Sequence, residues 1–286
     1  MEGVAMSLSW RGAAALAALT AAAVTAAQLG FVAPAAAAPG PPPGSIASMG
    51  DSISRGFNAC GWYVDCPSRS FSTGTDTGVN SHYLRIKAVN AAINGHSYND
   101  AASGAKVADM PGQAASAVSQ GAAYVTILIG ANDACTSSES SMTSVAAFRA
   151  SLDSALGALK AGLPSAKVLL ISIPDLQRLW QVGSGSASAR TIWSVFGVCQ
   201  SMLANPSSTA AADVARRDRV RQRVVDFNGQ LAAACVAYGA NCKYDGGAVF
   251  GYQFTLSQVS TWDYFHPNAA GQAALASISY AAGFGW

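Results

Sequence analysis

The sequence predicts an α/β protein: a three-layer α/β/α sandwich around a mostly parallel sheet of about five strands. Three observations carry this expectation. Two continuous β-branched and apolar runs, "AAYVTILIG" (122–130) and "AKVLLISIP" (166–174), have the character of parallel strands covered on both faces. Between them Val145, Phe148, Leu152, Leu156 and Leu159 recur at the helical period, which gives strand, helix, strand. Hydrophobic residues make up 51% of the 286-residue chain and charged ones 11%, enough apolar material for one sizeable core.

Taken in chain order, the first segment is an address rather than a structural element. Arg11 precedes a long Ala/Leu/Val run that breaks into the proline-rich "PGPPPG" (39–44). A secretory signal peptide is expected over 1–37, with cleavage after Ala37 and Met6 as an alternative start. An uncleaved anchor is the lesser reading, because alanine is weakly apolar and Pro34 interrupts the run. Residues 38–44 then form a Pro/Gly-rich linker, and 45–286 form one domain. Within that domain the patterns predict a short strand at 46–49, a helix at 81–92 and a weaker strand at 97–99. The two strong strands follow, with the helix at 144–162 between them. A helix at 213–238, a weaker strand at 242–244 and a last helix at 269–282 complete the set.

Charge excludes one class of function. The formal net charge of +2 is too small for a nucleic-acid binder, and the one basic run, "RRDRVRQR" (216–223), shares its helix with an apolar stripe of Val220, Val224, Phe227 and Leu231. Its arginines are expected on a solvated face. Export changes the meaning of the cysteines: Cys60, Cys66, Cys135, Cys199, Cys235 and Cys242 are an even set in an oxidising compartment and imply three disulfides. Short separations favour Cys60–Cys66 and Cys235–Cys242, which leaves Cys135 for Cys199. No C-x-x-C occurs, and His82, His96 and His266 are scattered without zinc-ligand spacing, so no metal is expected.

Ligand sites in such sheets lie beyond the carboxyl ends of the strands. "GDS" (50–52) follows the first strand, "NDAASGA" (99–105) the second and "GAND" (130–133) the third, while "DYFHPN" (263–268) precedes the last helix. Each alone is ordinary turn or cap chemistry. Together they supply a hydroxyl, an imidazole, a carboxylate and amide donors on one rim, the parts an acyl-transfer site requires.

In these four blocks the chain resembles the SGNH superfamily of GDSL esterases and lipases, and its leader and six cysteines resemble the secreted actinobacterial-type branch. The resemblance runs from residue 46 to the C-terminus and implies a flavodoxin-like SGNH-hydrolase fold. It makes Ser52 the nucleophile, His266 the base and Asp263 the acid that orients the imidazole. The oxyanion hole it implies combines the backbone N–H groups of Ser52 and Gly104 with the side-chain amide of Asn132. A serine hydroxyl needs such a base to become a nucleophile, and a glycine at 104 leaves no Cβ to block an approaching carbonyl.

Competing residues are weaker candidates. Ser54 and Ser103 do not occupy the matched positions, no G-x-S-x-G elbow occurs, and Asp51 is read as a turn-stabilising residue. "GSGS" (183–186) lacks the third glycine of a nucleotide loop, so no cofactor is expected. The long segment between the fourth strand and the arginine helix carries Trp180, Trp193 and Phe196, which either wall an acyl-chain groove or pack on the body of the domain. "CGWYVDC" (60–66), with Trp62 and Tyr63, has the same two readings. Fatty-acyl esters are the first substrate expected, then acetylated carbohydrate or phenolic esters. A catalytically silent secreted protein that binds carbohydrate or a surface partner is the competing class. The expected partner is a small-molecule or lipid ester; no obligate protein partner is evident, and a monomer is the simplest reading.

Overall fold

Five strands, β1 (Ile46–Gly50), β2 (Ser97–Asn99), β3 (Tyr124–Leu128), β4 (Lys167–Leu170) and β5 (Cys242–Tyr244), form one sheet in the order β2-β1-β3-β4-β5. In this computed structural model, which describes residues 40–286, every adjacent pair is parallel. The expected mostly parallel sheet is thus wholly parallel among the described residues. All of β1 and β3 is buried, which is why β3 is written as an unbroken apolar run. The edge strands β2 and β5 are three residues long and only partly covered, so their sequence signal is faint.

Helices cover both faces. The described helices are α1 (Ser52–Arg55), α2 (His82–Val89), α3 (Met110–Ser119), α4 (Ala131–Ala134), α5 (Val145–Gly162), α6 (Leu176–Gly183), α7 (Ala187–Val195), α8 (Gln200–Leu203), α9 (Ala211–Tyr238), α10 (Ala248–Gly251) and α11 (Ala269–Ala281). On one face α3, α5 and α9 pack side by side. The α5 stripe buries Phe148, Leu152, Leu156 and Leu159, and Phe148 stacks on Phe227 of α9 with ring centroids 4.1 Å apart. On the other face α2 and α11 meet over β3 through His82, Tyr124 and Ser279. Helix α3 escaped the sequence reading because "MPGQAASAVS" is small and weakly apolar, with no stripe of large side chains.

The expected leader, residues 1–37, lies outside the described residues. Of the expected linker, Pro42 and Pro43 are tied to the domain: their carbonyls accept from Asn90 Nδ2 at 2.8 and 3.1 Å. The three disulfides pair sequentially, Cys60–Cys66, Cys135–Cys199 and Cys235–Cys242.

The basic run departs from expectation. Arg217 is buried, with its guanidinium 4.2 Å from the Trp180 ring and a hydrogen bond to the Ser208 carbonyl at 2.7 Å. Arg216 donates to the carbonyls of Gln200, Ser201 and Ala204, and Arg221 pairs with Asp175 at 2.8 Å. These arginines bind the segment 175–208 to α9 rather than lining a purely solvated face. That segment supplies many free carbonyls at its short helix ends, and guanidinium forks satisfy several at once.

The same segment settles as α6, α7 and α8, packed on the domain. Trp193 is fully buried, and Gly183 is a glycine because a Cβ there would meet the Trp193 ring at 2.4 Å. Phe196 points to solvent.

Buried His82 gives the fold a pH dependence. Ser279 donates to the Leu275 carbonyl, so its oxygen accepts from His82 Nε2, while Tyr124 donates to His82 Nδ1. Both ring nitrogens are satisfied in the neutral form, and burial lowers the His82 pKa to about 3. The folded state therefore favours the neutral ring, a contribution that is full above the ordinary histidine pKa and lost as pH falls toward 3. The stability difference between wild type and His82→Gln is expected to shrink by about 2 kcal/mol between pH 7 and pH 5, read from urea unfolding at both values.

Candidate active site

The strand order reverses direction between β1 and β3, and a crevice opens at that switch point beyond their carboxyl ends. The chain leaves β1 through Gly50, whose φ of +144° favours glycine and whose added Cβ would stand 2.2 Å from the Leu128 carbonyl oxygen. Gln113 of α3 holds this exit: its Oε1 accepts from Gly50 N at 2.7 Å and its Nε2 donates to Gly50 O at 2.9 Å. Asp51 then caps α1, accepting from Ile53 N at 2.9 Å, and Ser52 opens the helix. From the far end of the chain, Gln272 of α11 donates to the Ile53 carbonyl at 2.8 Å. The turn into Ser52 is thus clamped from both faces of the sheet.

His266 arrives on the loop before α11. Its Nε2 lies 2.7 Å from Ser52 Oγ, and its Nδ1 lies 2.5 Å from Asp263 Oδ2. Asp263 is also a scaffold for its own loop: Oδ1 accepts from Phe265 N and His266 N, and Oδ2 accepts from Asn58 Nδ2 at 2.7 Å. Between the two, Tyr264 adopts φ +51°, a conformation non-glycine residues rarely take. Trp193 offsets that strain by donating its indole N–H to the Tyr264 carbonyl at 2.9 Å. Ser52 and Asp263 are buried and His266 is nearly so, which strengthens these charge-bearing contacts relative to water.

The other two blocks singled out in the sequence follow β2 and β3. Asn132 sits in α4, after β3, and donates one Nδ2 hydrogen to the Ala105 carbonyl at 2.9 Å, leaving the second hydrogen of the amide to donate elsewhere. Its neighbour Asp133 accepts from Val107 N and from the Thr143 hydroxyl, so α4 is fastened to the chain just past residue 105. Gly104 has φ +84°, and an added Cβ there would meet no protein atom. Within the protein it is backbone conformation, not crowding, that calls for glycine at this position.

Three contributors were not visible in the sequence. Asn58 orients the outer carboxylate oxygen of Asp263, and Phe57 packs its ring 4.8 Å from that of His266. Asp65, in the Cys60–Cys66 loop, accepts from Arg55 Nε at 3.0 Å and from the Ser103 hydroxyl at 2.5 Å. It therefore ties α1 to the loop that carries Gly104. None belongs to a recurring pattern of spacing, so only the folded chain reveals them.

An apolar pocket with an empty volume of about 580 Å³, its open mouth included, adjoins this constellation. Ile53, Ala131, Phe265 and Pro267 line it on the side of the site, and Leu176, Leu179 and Val182 of α6 on the other. Of the two readings left open for the segment after β4, it walls the apolar pocket, with the aliphatic side chains of α6. Trp180, Trp193 and Phe196 are spent on packing or point outward. The described residues include no cluster of histidine, cysteine and carboxylate groups suited to a metal ion.

Asp51 is the electrostatic oddity here. Its carboxyl is completely buried, Oδ2 has no hydrogen-bond partner, and burial raises its pKa to about 7. Because the folded value lies above that of an exposed carboxylate, ionising Asp51 costs stability as pH rises from about 4 to 7. Asp51→Asn keeps a capping oxygen and removes the charge. It is expected to raise stability relative to wild type at pH 8, by up to about 4 kcal/mol, and much less at pH 4. Paired urea titrations check this.

Solved structures share the fold. An acetyl-xylooligosaccharide esterase mutant, Axe2 from Geobacillus stearothermophilus, aligns with a TM-score of 0.51 at 15% identity, covering 85% of this chain and 94% of that one. A protein described as a GDSL-like lipase from Parabacteroides merdae aligns with a TM-score of 0.52 at 15% identity, covering 83% and 94%. An extracellular lipase from Streptomyces rimosus is 20% identical over 83% of this chain and 99% of its own, with a TM-score of 0.49. No curated protein matches the chain by sequence. The profile of the GDSL-like lipase/acylhydrolase family matches residues 46–278, a span that opens at β1 and closes within α11 around every loop of the crevice. The chain therefore belongs to the GDSL-like lipase/acylhydrolase family and is a serine hydrolase of carboxylic esters.

Proposed function

We propose that this is a secreted esterase that cleaves fatty-acyl esters through an acyl-enzyme on Ser52. The observation that carries the residue roles is the unbroken Ser52–His266–Asp263 hydrogen-bond chain. His266 Nε2 takes the Ser52 proton as Oγ attacks the ester carbonyl, then returns it to the departing alcohol. Asp263 keeps the proton on Nδ1 and stabilises the imidazolium. The tetrahedral oxyanion receives the N–H groups of Ser52 and Gly104 and the free amide hydrogen of Asn132. Water, deprotonated by His266, then releases the acid. Secretion is supported by the N-terminal run and by three disulfides, which persist in oxidising compartments.

The apolar pocket supports the acyl preference. A lining dominated by Ile53, Leu176, Leu179, Val182 and Phe265, whose two polar members Asp175 and Gln258 are already hydrogen-bonded within the protein, favours a hydrocarbon chain over a sugar ring.

Ser52→Ala is expected to abolish hydrolysis of nitrophenyl esters while leaving the melting temperature nearly unchanged, since one hydroxyl is lost; wild-type turnover in this variant would refute the assignment. Asn132→Ala should lower kcat by about a hundred- to a thousand-fold with a much smaller change in KM. Asp263→Ala, which also strips the acceptor from two backbone N–H groups and Asn58, should lower both kcat and Tm, whereas Asp263→Asn should act mainly on kcat.

Acyl length is a separate test. Across a graded series of nitrophenyl esters, kcat/KM should rise from acetate to medium chains. Leu179→Trp, which fills the pocket, should cut the longer esters by at least about tenfold and spare acetate. A wild-type optimum at acetate would favour an acetyl esterase instead.

A further inference from the structure

The Cys60–Cys66 loop projects Trp62, Tyr63 and Val64 into solvent, 66%, 62% and 50% exposed, and Trp262, just before Asp263, is 46% exposed. The Trp62 and Trp262 ring centroids lie 6.2 Å apart. Such a cluster forfeits burial that the core would have provided, so packing alone does not account for it. Nor is it a loosely held tip. The loop is closed by its disulfide, Asp65 binds it to Arg55 and Ser103, and Trp262 Nε1 donates to the Gly61 carbonyl at 2.6 Å. That last bond uses the polar atom of the Trp262 indole inside the protein and leaves its face apolar.

Charge narrows the occupant. The cations beside the cluster are already paired, Arg55 with Asp65 at 3.0 Å and Arg69 with Asp76 at 2.9 Å. With both cations neutralised in this way, the patch is complementary to a surface without net charge. It is also continuous with the catalytic opening: the Tyr63 ring meets Phe57 edge-on at 4.9 Å, and Phe57 packs against His266. A surface seated on the patch is brought up to Ser52. The two indole planes are inclined at 37° and so form no single flat stacking platform, whereas a fluid surface adapts to both.

We propose that Trp62, Tyr63, Val64 and Trp262 form a docking patch that seats the enzyme on an electrically neutral lipid–water interface, with its catalytic opening facing the aggregated ester. Indole and phenol rings suit that boundary because they bury apolar area while keeping a polar edge in water. The proposal rests on the lipid-ester reading of the substrate.

Flotation with phosphatidylcholine vesicles tests it, using the mature protein, from Ala38 onward, carrying Ser52→Ala so that no substrate is consumed. The parent should float with the vesicles, and adding Trp62→Ser with Val64→Ser should reduce the bound fraction about tenfold. In the active enzyme the same pair should leave hydrolysis of a soluble short-chain nitrophenyl ester unchanged and slow that of an emulsified ester. Failure of the parent to float, equal flotation of parent and variant, or flotation only with anionic vesicles would overturn the proposal. Retention on insoluble xylan that the pair of substitutions abolishes would also overturn it, in favour of a sugar platform. An active-site-intact protein that floats but hydrolyses no ester would instead defeat the catalytic reading and leave the docking patch standing.

Discussion

Gly50 must lie against the Leu128 carbonyl, with no room between them for a Cβ. This close approach of the ends of β1 and β3 is the constraint on which the rest of the site depends. It lets the chain turn sharply out of the sheet, so that Ser52 begins a helix over the crevice while Asn132 rises beside it from β3. Because the turn interrupts the ladder at a buried position, its backbone groups need other partners. Gln113 supplies two of them, and Gln272 supplies a third at Ile53. Buried glutamines contribute little net stability when satisfied, but without Gln113 the Gly50 N–H would lose its acceptor, and without Gln272 the Phe71 N–H would lose its own. Their effect is to fix a geometry.

The catalytic loop follows the same logic at higher cost. Tyr264 holds a left-handed conformation, and Asp51 keeps a carboxyl wholly buried beside the nucleophile. Each is destabilising on its own, by a few kcal/mol at most. The Tyr264 conformation persists because Asp263, Trp193 and Asn58 over-determine its loop by hydrogen bonds to several atoms at once, while Asp51 accepts from the Ile53 N–H that it caps. The buried His82 network between α2 and α11 depends on pH in the opposite sense to Asp51, since one group loses stability on acidification and the other on ionisation.

The segment 175–208 shows how an insertion becomes part of a site. Alone it is three short helices with many unsatisfied carbonyls. The arginines of α9 bind those carbonyls, the Cys135–Cys199 bridge fastens it beside α4, and Trp193 reaches the catalytic loop. Its aliphatic α6 face thereby becomes one wall of the apolar pocket whose other side includes Ile53. The substrate preference proposed for the enzyme depends on this wall more than on the sheet.

By itself the sequence determined what short-range physics encodes. Burial on both faces made β3 and β4 legible, the helical period exposed α5, α9 and α11, and turn-forming residues marked the loops where Ser52, Gly104, Asn132, Asp263 and His266 lie. The cysteine pairs were legible because two of them close loops of a few residues. Tertiary structure alone decided that Arg217 is buried on Trp180, that Asp51 is sealed from water, and that Asn58, Asp65, Gln113 and Gln272 hold the site together. Periodicity and turn propensity act over a few residues, whereas these contacts join side chains brought together from distant parts of the chain, and an isolated asparagine or glutamine looks the same in sequence whether it faces water or clamps a buried backbone.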